Sequence, residues 1–197
     1  SLLRLLLVWH ESGNLRFMTS ANFAVHADAI VPVSGPENVL KSHSIVVRQG
    51  LIDALMPHAQ ARALSDIDHV ELPGHVLMPG LVNAHGHAGM TLLRGYADDM
   101  SLASWLNDKI WPLEARWVSP EFVRDGTDIA AAEMLLSGIT TTSDMYFFPD
   151  IAAQSLRTAG MRTQLVFPVM NIETAWAKNA EEYFEKGLAL RDYFRND

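Results

Sequence analysis

The chain has 197 residues, of which 49% are apolar and 19% are charged, a composition typical of a globular protein rather than of a disordered or fibrous one. The 23 acidic against 15 basic residues give a net charge of −8, which argues against a nucleic-acid partner and against an anionic membrane surface. The sequence has no cysteine, so disulfides, thiolate nucleophiles, iron–sulfur clusters and cysteine-ligated zinc are excluded, and a transition-metal site must use imidazole and carboxylate groups.

The N-terminal segment gives no indication of a membrane span. Its apolar run, residues 2–9, is interrupted by Arg4 and is shorter than the roughly 20 residues that a spanning helix needs. No small-residue cleavage site follows it. We therefore expect no membrane partner and a cytoplasmic location. Residues 1–17 connect poorly to the pattern that starts after Met18, and we expect them to be a non-native or upstream extension.

Residues 18–76 carry the signals of short strands and turns. The β-rich runs 23–33, 44–47 and 51–56 predict strands, with a turn at Arg48-Gln49-Gly50 between the last two. A further short strand, 70–72, leads to Pro73-Gly74. This pattern predicts a small β-domain.

From residue 77 onward the pattern alternates strands with helices. The predicted strands are 81–84, 139–145 and 161–170, and the predicted helices are 122–136, 150–158 and 174–194. Ser119-Pro120-Glu121 supplies the cap of the first helix, and Gly138 follows its end. The order β-α-β-α-β-α predicts an α/β fold with a parallel sheet and right-handed crossovers. Because a (β/α)₈ barrel alone takes about 250 residues, we expect this to be the first part of something longer.

His85-Gly86-His87 is the main candidate for chemistry. The spacing alone is weak evidence, since a chance His-x-His arises about 0.3 times in a chain with this many histidines. The pair, however, ends an apolar predicted strand, where side chains at i and i+2 point to the same face. The carboxyl end of such a strand is where α/β folds build their sites. Two such imidazoles can share one metal ion, and surface or hydrogen-bonded histidines are the alternative.

Three segments carry a resemblance to a known family. Residues 76–99, VLMPGLVNAHGHAGMTLLRGYADD, resemble the metal-binding segment of the amidohydrolase superfamily. Residues 105–114, WLNDKIWPLE, and 138–146, GITTTSDMY, are similar to the 5-methylthioadenosine/S-adenosylhomocysteine deaminases and their chlorohydrolase relatives. The resemblance runs from about residue 21 to the C-terminus.

The resemblance implies a metal-dependent (β/α)₈ barrel and a small β-sandwich built from both chain ends. Residues 18–76 would then be part of the sandwich, and 77–197 the first three βα units of an incomplete barrel. It implies His85 and His87 as the first two ligands of one divalent metal, usually zinc and sometimes iron. That metal would activate a water to attack C6 of an adenine ring and expel ammonia. Glu114 matches the acid that holds the ribose hydroxyls in this family.

The rest of the family's site comes from strands later than the third: two further histidines, a glutamate proton shuttle and an aspartate beside the metal. The other six histidines of this chain all precede the motif, so none matches a later ligand: His10, His26, His43, His58, His69 and His75. We therefore expect no catalytic acid or base within the chain, and we expect the chain alone to be inactive.

Four other residues have two interpretations each. Trp105, Trp111 and Met90 are candidates for an apolar pocket over the substrate, with core packing as the alternative. Asp144 ends the second predicted strand of the α/β part, where it either points into the site or hydrogen-bonds to the end of the strand.

We derive three hypotheses for function. The first is the N-terminal part of a deaminase acting on a small purine nucleoside, 5-methylthioadenosine or adenosine. S-adenosylhomocysteine is disfavoured because no arginine lies between Arg162 and Arg191 to clamp its carboxylate. The second keeps the superfamily but takes guanine, a triazine or another cyclic amidine. The third is a truncated, non-catalytic fragment. The sequence does not determine whether the chain forms a homo-oligomer.

Overall fold

The computed structural model describes residues 7–8, 16–17, 22–34 and 39–195, and the chain divides into two compact units, Ser1–Pro79 and Gly80–Asp197. Strands β1 (Leu7–Val8) and β2 (Arg16–Phe17) pair antiparallel. The other residues of the expected extension 1–17 lie outside the described part. Among the described residues, no helix is both long enough and apolar enough to cross a membrane.

Within the described residues, the first unit contains a five-stranded sheet built around β3 (Phe23–Ile30). The remaining strands are β4 (Leu40–Lys41), β5 (His43–Arg48), β6 (Leu51–Pro57) and β7 (Asp68–Leu77). β3 pairs antiparallel with β4 and β5 and parallel with β7, and β6 pairs antiparallel with β5. The predicted turn between β5 and β6 is confirmed, because Gln49 and Gly50 have φ angles of 51° and 79°, as a tight hairpin turn requires.

The structure extends one predicted strand of this unit and adds a helix. The strand predicted over 70–72 is part of the longer β7, which continues through Pro73 and Gly74. It can continue because the register with β3 shifts here, so that Pro73, which has no N–H to donate, lies in a bulge. The Gly74 N–H donates to Asp28 Oδ2 at 3.1 Å. Helix α1 (His58–Arg62) directly follows β6 and was not predicted.

The second unit contains a parallel sheet, with strand order β8-β9-β10 among the described residues. Its elements are β8 (Leu81–Gly86), α4 (Pro120–Leu136), β9 (Ile139–Met145), α5 (Pro149–Thr158), β10 (Arg162–Val166) and α6 (Ala180–Tyr193). The predicted β-α-β-α-β-α order is confirmed. Ser119 accepts the Phe122 N–H at 3.1 Å and so caps α4, and Gly138 beyond the helix has a φ of 80°.

The third βα unit differs from the prediction in its boundaries. β10 ends before Pro168, which lacks the N–H that a longer strand would use in the ladder. The helix predicted from residue 174 begins at 180. Thr174 instead closes a turn on itself, since its N–H donates to the Ala177 carbonyl at 2.8 Å and its hydroxyl accepts the Ala177 N–H. Asn179 caps α6 instead, by accepting the Glu182 N–H at 3.0 Å.

Between β8 and α4 lie short helices that the sequence patterns did not predict. They are a 3₁₀ helix (Ala88–Leu93), α2 (Leu102–Trp105), a π-helical turn (Leu106–Ile110) and α3 (Trp111–Trp117). The 3₁₀ helix packs closely on α4, since a Cβ at Gly126 would lie 2.3 Å from the Gly89 carbonyl oxygen. This approach holds the segment that follows β8 against the core of the second unit.

Candidate functional site

The two motif histidines lie side by side at the carboxyl end of β8. His85 belongs to the strand and His87 precedes the 3₁₀ helix. Their ring centroids are 4.9 Å apart and their planes are nearly perpendicular, at 85°. His85 is exposed and His87 is half-buried. The structure therefore brings together the two side chains that the sequence singled out.

A single hydrogen bond sets the orientation of His87. Its Nδ1 lies 2.6 Å from the carbonyl oxygen of Met145 at the end of β9. A carbonyl oxygen only accepts, so Nδ1 carries the proton, and in the neutral ring Nε2 keeps its lone pair. Within the described part of the chain, neither Nε2 of His87 nor either ring nitrogen of His85 has a hydrogen bond. Metal-bound histidines usually have this arrangement, with the second nitrogen donating to a carbonyl or carboxylate.

Asp144 supports the turn that follows His87. Its side chain is only 2% exposed, and its Oδ1 accepts the Ala88 N–H at 2.6 Å. Burial raises the pKa of this carboxyl, while the Ala88 N–H and His87 act in the opposite direction. This hydrogen bond, to the turn just beyond β8, agrees with the second interpretation of Asp144, and a role in the site stays a prediction.

Glu114 lies on α3 and is nearly buried, at 9% exposure. Its Oε1 accepts a hydrogen bond of 2.7 Å from the hydroxyl of Tyr146, which directly follows β9. Burial raises the pKa of Glu114, and the Tyr146 hydroxyl and His87 oppose that rise. Burial and the Glu114 carboxylate raise the pKa of Tyr146, so its hydroxyl keeps the proton that it donates.

A cavity of about 200 Å³ lies beside Glu114 and is lined largely by apolar side chains. Among the described residues its walls include Trp111, Val118, Phe147 and Met170, together with Glu173. Of the three predicted pocket residues, Trp111 lines this cavity, and Met90 and Trp105 do not.

Those two residues, Met90 and Trp105, lie elsewhere in the second unit. Met90 is half-buried in the 3₁₀ helix and packs against the core cluster that contains Val123 and Tyr146. Trp105 is half-buried at the end of α2. Substrate contact by either residue stays a prediction.

Tyr146 is the site residue to which the sequence assigned no role. The residue lies within the segment that carries the family resemblance, and it follows directly on β9. A polar aromatic side chain at the carboxyl end of a parallel strand was the available signal.

The two motif histidines fit part of a metal site. Zinc in proteins is bound by about four ligands, commonly histidine nitrogens and carboxylate oxygens. Among the described residues there is no group of three or more histidine, aspartate or glutamate side chains placed to hold one ion. His85 and His87 thus fit as two ligands of a site, with an oriented ring and unused nitrogens, and they supply about half of a coordination sphere.

Comparison with known proteins gives a consistent result. The sequence profile of the amidohydrolase family matches residues 76–196. The 5-methylthioadenosine/S-adenosylhomocysteine deaminase of Teredinibacter turnerae is 48% identical over 179 residues, which are 90% of this chain and 40% of that protein. The chain thus spans about 40% of the length of this relative.

Solved structures show the same relationship. An adenosine deaminase from Xanthomonas campestris with bound zinc superposes with a TM-score of 0.86 at 42% identity, over 90% of this chain and 40% of that one. A triazine hydrolase from Arthrobacter aurescens superposes with a TM-score of 0.77 at 21% identity, over 88% and 43% of the two chains, and it shows the shared fold alone.

Proposed function

The chain belongs to the amidohydrolase family, and on that premise we propose that it is the N-terminal part of a metal-dependent deaminase of an adenine nucleoside. The hydrogen bond from His87 Nδ1 to the Met145 carbonyl carries the proposal, because it leaves a ligand nitrogen free beside His85. In this proposal, residues 18–76 contribute strands of a β-sandwich, and 77–197 contribute the first three units of a (β/α)₈ barrel. The similarity to the adenosine deaminase of Xanthomonas campestris over 90% of this chain supports the proposal of a deaminase.

We assign His85 and His87 as two ligands of one divalent metal, with zinc as the first choice and iron as the alternative. Zinc is named in the structure of the similar adenosine deaminase. When bound, the metal supplies an activated water for the replacement of the C6 amino group by oxygen, with release of ammonia. His87 is held for this role by the Met145 carbonyl, and Asp144 holds the turn behind it. The general acid and base are assigned to later strands.

We assign Glu114 to the ribose, as an acceptor of hydrogen bonds from its 2′ and 3′ hydroxyls. The apolar cavity beside Glu114 supports this assignment and suits a methylthio group. Glu173 on the cavity wall would repel the amino-acid carboxylate of S-adenosylhomocysteine. No arginine lies between Arg162 and Arg191 to attract that carboxylate. We therefore expect 5-methylthioadenosine or adenosine to be preferred over S-adenosylhomocysteine.

The test is the kinetics of the full-length protein with a Glu114→Ala variant. Hydrogen bonds to a charged acceptor contribute roughly 1.5–3 kcal/mol each, so we expect kcat/KM for the nucleoside to fall by about two orders of magnitude or more. Residual activity on free adenine, which has no ribose, should hardly change. Glu185→Ala, which removes an exposed acid from α6, is the matched control and should leave both activities as they are. Equal losses on nucleoside and base would instead assign Glu114 to the fold or to the metal.

The same assay separates the two other hypotheses. Turnover of guanine or of a triazine, without turnover of adenine nucleosides, would identify a family member that acts on another cyclic amidine. A protein that retains no metal and turns over none of these substrates would be the non-catalytic fragment.

A further inference from the structure

Two consecutive residues at the end of β9 hold both halves of the candidate site. The Met145 carbonyl accepts a hydrogen bond from His87 Nδ1, and the hydroxyl of Tyr146 donates a hydrogen bond to Glu114 Oε1. We propose that Tyr146 is a positioning residue. It holds the Glu114 carboxylate where the sugar of the nucleoside binds, at a fixed position relative to His85 and His87. The inference rests on the proposed function, in which Glu114 binds the ribose and His87 binds the metal.

The direction of the hydrogen bond defines what Tyr146 does. An ionised carboxylate only accepts, so the phenol must be the donor. Both side chains are nearly buried, at 5% and 9% exposure, and hydrogen bonds to an ionised partner are the stronger class. Tyr146 engages Oε1 of Glu114, and Oε2 has no hydrogen bond within the described residues. The phenol thus fixes one oxygen of the carboxylate and leaves the other to a ligand in the adjacent cavity.

The ring of Tyr146 is itself held by the backbone that follows the histidine pair. A Cβ at Gly89 would lie 2.7 Å from Cδ1 and Cε1 of this ring, so the absence of a side chain at Gly89 is what lets the two approach. On another side, the ring of Phe147 lies 5.1 Å away, centroid to centroid. The hydroxyl therefore cannot move far without displacing the segment that begins just after His87.

Tyr146→Phe tests this role because it removes the hydroxyl and keeps the ring. In the full-length protein, we expect kcat/KM for 5-methylthioadenosine to fall about tenfold, chiefly through KM, since one oriented hydrogen bond to the sugar is weakened. Activity on free adenine and metal content should be unchanged. A purely structural role would lower both activities together.

The matched control is Tyr183→Phe. Tyr183 is a fully buried tyrosine of the same core cluster, and its hydroxyl bonds to Thr174 Oγ1 at 2.6 Å, not to Glu114. The control is expected to lower thermal stability about as much as Tyr146→Phe does, and to leave the ratio of nucleoside to base activity unchanged. If both variants change this ratio equally, the proposed role of Tyr146 is wrong.

A double-mutant cycle decides whether Tyr146 acts through Glu114. Once Glu114→Ala is in place, adding Tyr146→Phe should cost less than about twofold further, because there is no carboxylate left to position. Additive losses would overturn the inference. It would also be overturned if Glu114→Ala gave its sugar-specific loss while Tyr146→Phe gave none. The proposed function itself fails under a different result, namely that Glu114→Ala causes no sugar-specific loss.

Discussion

Each of the two units holds a group of close histidine rings, and the two groups differ in what their ring nitrogens do. In the first unit, His26 and His69 are stacked with centroids 5.2 Å apart; in the second, His85 and His87 are 4.9 Å apart. Ring distance therefore does not distinguish the two groups. What distinguishes them is how many nitrogens already have a hydrogen-bond partner.

In the first unit, the histidine ring nitrogens take part in one continuous chain of hydrogen bonds. His69 Nε2 donates to the Leu64 carbonyl at 2.9 Å, so its Nδ1 accepts from His26 Nε2, also at 2.9 Å. In the neutral ring, His26 Nδ1 then accepts the Ser44 hydroxyl proton at 2.7 Å, and the Ser44 oxygen accepts from His58 Nδ1 at 2.8 Å. Both nitrogens of His26 and of His69 are consumed, and burial lowers the pKa of His26. His26 is buried, at 2% exposure, whereas His69 is exposed, and the hydrogen bonds of both rings hold the first unit together.

In the second unit, only His87 Nδ1 is engaged among the ring nitrogens of the pair, within the described residues. The unused lone pairs are what a metal ion can take. Of these two groups of described residues, only the His85 and His87 pair therefore has ring nitrogens available for the proposed metal ion.

The largest expected effect is the loss of metal and turnover on substitution of a histidine of the second group, but not of the first. His85→Ala and His87→Ala, each made in the full-length protein, should lower metal affinity by more than about 100-fold and reduce turnover to background, since each removes a proposed inner-sphere bond. His58→Ala, in the first unit, should keep both metal and turnover. Metal content measured by mass spectrometry, together with steady-state rates, checks this. Near-stoichiometric metal in both site variants would remove these residues from the coordination sphere.

An intermediate effect on metal affinity is expected when Asp144 is substituted, because this residue holds the turn that follows His87. Asp144→Ala leaves the buried Ala88 N–H without its acceptor and should lower metal affinity about 10- to 100-fold. Asp144→Asn keeps an acceptor oxygen and should stay within about threefold of the unaltered protein. Titration with a competing chelator measures both affinities. Equal losses in the two variants would show that the charge of Asp144 matters, and not its hydrogen bond.

The smallest effect concerns pH and the first unit. Burial holds the pKa of His26 below its ordinary value of 6.5, with Glu71 opposing and Arg62, His58 and His69 adding to the decrease. The unfolded state then binds a proton at this residue more readily than the folded state. The stability that the neutral His26 ring contributes is therefore complete above pH 6.5 and decreases as the pH falls below it. Protection of the β3 amides from hydrogen exchange, corrected for intrinsic rates, should therefore decrease between pH 7.5 and 5.5.

His26→Gln tests the origin of that decrease, because it removes the titrating ring and keeps a polar side chain. The pH-dependent loss of protection should largely disappear in this variant. In the control His75→Gln, which alters an exposed histidine of the same unit, it should persist. The same decrease in all three proteins would assign it to another group.

Much of the fold could be predicted because it depends on short-range signals. The Ser119 cap, Gly138 after the helix and the β-branched run of β9 each act within a few residues, and all three were confirmed. The turn at Gln49-Gly50 is of the same kind. The errors came where tertiary contacts override local preference, as in β7, where a bulge opposite Asp28 lets a strand continue through Pro73 and Gly74.

The sequence by itself determined the family, the order of the strands and helices in the second unit, and the position of two histidines at the end of a strand. Tertiary structure alone decided which ring nitrogens stay free, because the partners are distant in the chain: 58 residues separate His87 from Met145, and 32 separate Glu114 from Tyr146. No pattern of neighbouring residues records such pairings. They form only when parallel strands bring their carboxyl ends to one edge of the sheet, where buried polar groups must find partners to offset their lost hydration.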